Sequence, residues 1–298
     1  MDFTKKFVKA KNPCADGFRW FLRHYRDGGD YQELLDALVE DGRVNDACWL
    51  LDQFGPTDAV RVIDDLDAQA MVFAGTLHVR GSIEVDCLVR TGRSLHVDGG
   101  IRAGFGDTTN REHGVVVGEQ LRVDGGMFVR GNVLVGDDVR VGWGVDIEGD
   151  LRCGSDFRAR WGLECRGQAT IGGNLHLGHG LVIEGDLRCD KAIQVGESIT
   201  AQGSVRVAHG MLAAESIVCA MHLEAGWGIK AGGSIQAEGS IQAGEGVSAG
   251  QAIQTGDGYG VFAGLSVHVD SWETGARVAA TTKPDRLMSG WWAGSSLI

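Results

Sequence analysis

Proline is almost missing from this chain, at 3 of 298 residues, and aromatic residues make up only 7%. With 43% hydrophobic residues, so little proline excludes a Pro-rich disordered chain. No apolar run approaches the roughly 18 residues of a membrane-spanning helix. The opening stretch MDFTKKFVKAKNPCADG carries lysines with no apolar segment behind them, so no signal peptide is expected. Positive charge is in deficit: 28 Lys and Arg face 40 Asp and Glu, a net charge of −12. That balance argues against a general binder of nucleic-acid backbones. CxxC spacing is absent, so no metal site is expected. The P-loop, GxSxG, HExxH and strand-linked GxGxxG patterns are absent too, and no cofactor is implied.

What is present in excess is glycine, 47 residues without the third-residue spacing of collagen. The seven cysteines are odd in number, and Cys153, Cys165, Cys189 and Cys219 share one position of a repeat described below. This usage predicts reduced, buried thiols in a cytoplasmic protein.

Residues 13–55 predict three short helices. DGFRWFLRHY places Phe18, Phe21, Leu22 and Tyr25 on one face. DYQELLDALVEDG opens on Asp30 as N-cap with Glu33 three residues on, and stops at Gly42. VNDACWLLDQFG offers Asn45 as cap and Gly55 as stop. Trp20 and Trp49 are read as core of this bundle.

From residue 70 a period of six takes over. Six hexads fill 70–105, eight residues intervene at 106–113, and 24 hexads then run unbroken from Gly114 to Asp257. Position two is Leu, Ile, Val, Met or Phe in 29 of 30 copies, Ala169 being the exception. Position four is smaller, and the two lie two residues apart, so on a strand they share a face. Position five is Gly in 12 of the last 24 hexads, read as supplying the positive φ of a tight corner. A short strand and a corner every six residues, closing after three sides, give a coil of about 18 residues.

The predicted fold is therefore mainly β: a triangular β-solenoid of ten coils with a small α-helical N-terminal cap. The expected divisions are 1–69 for the cap, 70–264 for the solenoid with its insertion at 106–113, and 265–298 for a C-terminal capping segment. Trp272, Trp291 and Trp292 are expected to supply bulk for that lid.

The repeats Val135-Gly136, Val141-Gly142, Ile171-Gly172 and Val195-Gly196 resemble the hexapeptide β-helix of acyltransferases, which implies a left-handed coil. The SIQAGE and GIKAGG style is similar to polymer-forming solenoids of the bactofilin type, which are right-handed. The whole chain, from NPCADGFRWF to SGWW, is similar to uncharacterised bacterial repeat proteins with a helical N-terminal domain, a resemblance that brings no activity with it.

Position three points outward, so residues one coil apart form ladders. One ladder reads His78, His96, Arg122, Arg140, Arg158, His176, a basic stripe suited to phosphate, carboxylate or an acidic patch. Its bland reading is a solvated face neutralised by neighbours such as Asp124, Glu148 and Asp156. Trp143 and Trp161 are also 18 apart and should stack near a corner, either as a binding anchor or as a packed corner. The insertion contains Arg111, a candidate contact residue, and His113, a weak candidate for the loop general base that the acyltransferase resemblance implies.

Three functions follow. The leading one is a non-enzymatic scaffold that binds a protein partner, with neutralisation of a basic partner, as by an immunity protein or antitoxin, as one form. The others are self-association into a polymer and acyl transfer.

Overall fold

The computed structural model describes residues 5–25, 29–106, 114–268 and 271–295. Four helices come first: α1 (Lys5–Ala10), α2 (Ala15–His24), α3 (Tyr31–Glu40) and α4 (Val44–Phe54). The Asp30 carboxylate caps α3, accepting from the Gln32 and Glu33 amides at 2.8 and 3.3 Å. The α4 helix departs from expectation: it starts at Val44 after Arg43, which makes no side-chain cap, and Asn45 lies inside its first turn. Gly55 ends it with φ of 77°, a backbone state that glycine reaches without strain. Trp20, Phe21, Leu34, Leu35, Leu50 and Leu51 form the core of this head, with Trp49 packed against it.

The remainder is a parallel β-solenoid. Its first side is a 13-stranded ladder beginning with β1 (Val60–Ile63) and ending at Trp291–Gly294. The second side begins in the first half of β2 (Leu66–Phe73), and the third in its second half. After β3 (Thr76–Val79), β4 (Ile83–Thr91) repeats the bend, and later coils use three-residue strands. Consecutive coils pair 18 residues apart, as in Arg122↔Arg140 and Arg140↔Arg158.

Every strand from Leu95 to Ala249 buries its first and third residues, because a pleated strand sends alternate side chains to opposite faces. These are hexad positions two and four, and they make one continuous core from Leu66 to Ala280. The lone Ala169 at position two shares a coil with Phe157, the bulkiest fully buried side chain, and both are closed to solvent. Position one, which sequence reasoning passed over, ties coils together. Its side-chain oxygen accepts the amide of the equivalent residue one coil on: Asp138 from Asp156, Asp156 from Asn174 at 2.8 Å, Asp150 from Gln168 at 2.8 Å.

Three expectations need correction. First, the corner glycines between 114 and 257 do not adopt positive φ. They are small because the coils crowd: a Cβ on Gly136 would lie 2.0 Å from the Gly118 oxygen, and one on Gly154 1.9 Å from the Gly136 oxygen. Second, the ladder pairing starts at Val60, ahead of the visible hexads, because β1 and the bulged β2 reach the same register without six-residue spacing. Third, the tail continues the coil: Arg277–Ala279, Leu287–Ser289 and Trp291–Gly294 pair in parallel with earlier rungs. Of the three tail tryptophans only Trp292 packs on the core, while Trp272 and Trp291 are exposed.

The head covers part of one end, over β2. The Phe73 oxygen accepts from Gly92 in the next coil, so the neighbouring Val72 oxygen and Ala74 amide face the opposite, free edge of β2. The Gln32 side chain meets both: its Nε2 donates to the Val72 oxygen at 2.9 Å, and its Oε1 accepts from the Ala74 amide at 3.0 Å. One side-chain amide thus supplies the donor and acceptor that a further coil would have provided.

Candidate functional site

The first side carries the basic ladder in unbroken register: His78↔His96, His96↔Arg122, Arg122↔Arg140, Arg140↔Arg158, Arg158↔His176. The register stays intact across the eight extra residues at 106–113, which fall in sequence between the second-side strand Ile101–Ala103 and the third-side strand Val115–Val117. Arg111 and His113 fall outside the described residues, and the loop-base reading has no geometry to stand on.

Guanidinium groups stacked about 5 Å apart repel by roughly 1 kcal/mol at the dielectric constant of water. Here each has a carboxylate on its own coil. Arg122 reaches Asp124 at 2.9 Å, Arg140 reaches Asp138 at 3.7 Å, and Arg158 reaches Asp156 at 3.0 Å. His78 contacts Asp98 at 3.0 Å. The Arg122 hydrogen bond holds the Asp124 carboxyl below the usual range, and the Asn174 amide does the same for Asp156. His96 is half-buried beside Arg122 and His78; burial first, then the Arg122 charge, pushes its pKa down. Such exposed pairs are individually worth at most about 1 kcal/mol. A trough of about 860 Å³ runs over Arg122, Arg140, Arg158, Arg160 and His176, with Asp124 also at its wall.

The corner between the first and second sides is aromatic. The Trp143 and Trp161 rings stand 6.4 Å apart at 25°, and Trp161 stacks on His179 at 3.7 Å. His179 is held in turn by Glu197 at 2.7 Å. Both tryptophans stay open, at 63% and 53% exposure. Stacking follows from the coil period, since 143, 161 and 179 share one position of consecutive coils. His179 was missed by sequence reasoning although the same 18-residue spacing marks it. A second stack, His209 on Trp227 at 4.3 Å, sits on the corner between the third and first sides and was legible by the same rule.

Around the corner, the second side carries the ladder Phe128↔Asp146↔Glu164↔Val182. Phe128 and Val182 are 53% and 41% exposed. A groove of about 420 Å³ lies between them, bounded by Trp161, Asp146, Glu164 and His179. Asp146 and Glu164 are in register with each other, yet among the described residues neither has an ion pair. No group of His, Cys, Asp and Glu among the described residues has the arrangement of a metal site.

The fold and this surface define a parallel β-solenoid with a helical N-terminal domain and an exposed aromatic corner. Residues 1–54 match the YdhT N-terminal domain family, a likeness confined to the helical head. No curated protein and no solved structure matches the chain. No described helix is long and apolar enough to cross a membrane.

Proposed function

We propose that this protein is a non-enzymatic scaffold that binds a protein partner along the corner bearing Trp143 and Trp161. The observation that supports this most is the pair of open indoles on adjacent coils of a rigid rod. Large aromatic surface left in water is unfavourable, and Trp and Arg are the residues that most often anchor protein interfaces. The basic ladder His78, His96, Arg122, Arg140, Arg158 and His176 forms one flank of this docking surface. Its weak local ion pairs exchange readily for a partner's carboxylates. The net charge of −12 favours a partner that is basic overall, as in neutralisation of a toxin. End-to-end polymerisation gains no support from the head end, where Gln32 already meets two backbone groups on the free edge of β2.

The test is affinity co-purification from the native cell with quantitative mass spectrometry. A partner retained by the wild type and by Trp227→Ala, but lost from Trp143→Ala/Trp161→Ala, supports the reading. Identical protein sets from all three refute it.

A further inference from the structure

The end of the stack that carries the head presents three strand edges, and they are not treated alike. On the third side the free edge is the second half of β2, where Gln32 meets the Val72 oxygen and the Ala74 amide. On the second side it is the first half of β2. There Leu66 donates to the Ser82 oxygen of the next coil, so the peptide groups of Asp65 and Asp67 face the free edge, and both residues are exposed. Charged side chains of this kind protect an edge from pairing.

On the first side the free edge is β1. The Ala59 and Ile63 oxygens accept from the Thr76 and Arg80 amides at 2.9 and 3.0 Å, so the peptide groups of Val60 and Val62 face away from β3. Among the described residues nothing bonds to them on that side. Neither a charge nor a proline stands on the outward face of β1. That face is Val60 and Val62, 68% and 48% exposed and in register with Thr76 and His78 of the next coil. The one charge within the strand, Arg61, is already engaged, by Asp36 of α3 at 3.2 Å and by the Phe73 ring at 4.9 Å. Asp58 and Asp64 flank the strand with highly exposed carboxylates, held only by surface ion pairs to Arg93 and Arg80.

We propose that the free edge of β1 takes an extended segment of a partner protein, which adds as one further strand on the first side. The backbone decides the form of the occupant. Val60 and Val62 offer two N–H donors and two carbonyl acceptors at strand spacing, and an extended chain matches all four. The side chains decide its composition: apolar β-branched residues at alternate positions cover the two valines, and basic residues at the flanks face Asp58 and Asp64. A second copy of this chain suits the edge less well. Twofold pairing of two β1 strands would put both heads on the inner side of the joined sheet, where α3 and α4 already pack against β2. This surface lies apart from the tryptophan corner, and it goes beyond the scaffold reading by adding a contact made through the backbone.

The experiment uses the full chain and three fluorescein-labelled heptapeptides, KVTVTVK, KVTPTVK and EVTVTVE. Binding is titrated by anisotropy, and amide exchange of the saturated complex is read residue by residue by NMR. KVTVTVK should bind saturably and slow exchange at Val60 and Val62, and the other two should bind about tenfold more weakly, the scale of one lost hydrogen bond. Val62→Pro removes an edge donor without touching the β1–β3 bonds and should weaken KVTVTVK by a similar factor. Val60→Lys/Val62→Lys, on the exposed face, should do the same, and circular dichroism melts verify that both variants fold. The inference is overturned if KVTVTVK does not bind, if it binds without slowing Val60 and Val62, or if the proline peptide binds equally well. A dimer in sedimentation of the chain alone that Val62→Pro dissolves would assign the edge to a second copy and overturn the partner segment. Trp143→Ala/Trp161→Ala should leave KVTVTVK binding unchanged, so failure here and failure of the scaffold reading are read separately.

Discussion

Phe157 and Ala169 offer a quantitative test of the packed coil. Both occupy hexad position two of one coil, and both are buried. Phe157→Leu removes three carbons, and at about 0.8 kcal/mol per buried carbon the loss is about 2.4 kcal/mol. Ala169→Leu adds three carbons to a filled interior, at a cost of roughly 1–3 kcal/mol. The double variant returns the coil to its original carbon count. If the alanine is there because the phenylalanine is, the two substitutions compensate, with a coupling of about 1–3 kcal/mol in favour of the pair. Urea unfolding of the four proteins, followed by far-ultraviolet circular dichroism, measures the cycle. Additivity to within about 0.5 kcal/mol would show that the two side chains fill separate spaces, and the compensation argument would fail.

Gln32→Ala should loosen the head on β2 without melting the rod; two hydrogen bonds at about 1 kcal/mol each set the scale, while Val72 and Ala74 stay packed in the core of the head. Hydrogen exchange should speed up at Ala74, an amide bonded to that side chain, and remain slow at Leu175. Gly154→Ala should destabilise by roughly 1–3 kcal/mol, since its Cβ would press on the Gly136 oxygen at 1.9 Å, and thermal unfolding reads the loss. Native alkylation should modify the exposed Cys14 and spare Cys153 and Cys165, whose buried thiols are pushed up to about 11; peptide mass mapping checks this. His96 has a folded pKa below its unfolded value near 6.5, so the unfolded chain binds the proton more readily. Stability should therefore fall as pH drops through about 6.5, and His96→Gln should flatten the urea-midpoint profile between pH 7 and 5.

The period of six made the rod legible, because it fixes both which side chains face inward and which residues become neighbours a coil apart. The ladder from His78 to His176 and the Trp143–Trp161 stack are direct readings of that period. What escaped was whatever does not repeat. The bulge in β2 hid the first coil, and Arg277–Ala279 rejoins the ladder after an irregular segment. The position-five glycines were assigned the wrong cause, since composition cannot separate a positive φ from a carbonyl oxygen that would stand about 2.0 Å from an added Cβ. The groove on the second side is not legible from the Asp146–Glu164 carboxylate pair, which any solenoid can carry, because the Phe128 and Val182 that end it differ from them in kind.

The glutamine at the head end gives the rod a polarity that composition alone would never suggest. A single carboxamide imitates two peptide groups of a missing turn on one side of the stack. At that end the helical head stands over the β2 edge, where Gln32 holds the Val72 oxygen and the Ala74 amide. The length of the stack is set by the number of turns between β1 and the last rung at Trp291–Gly294.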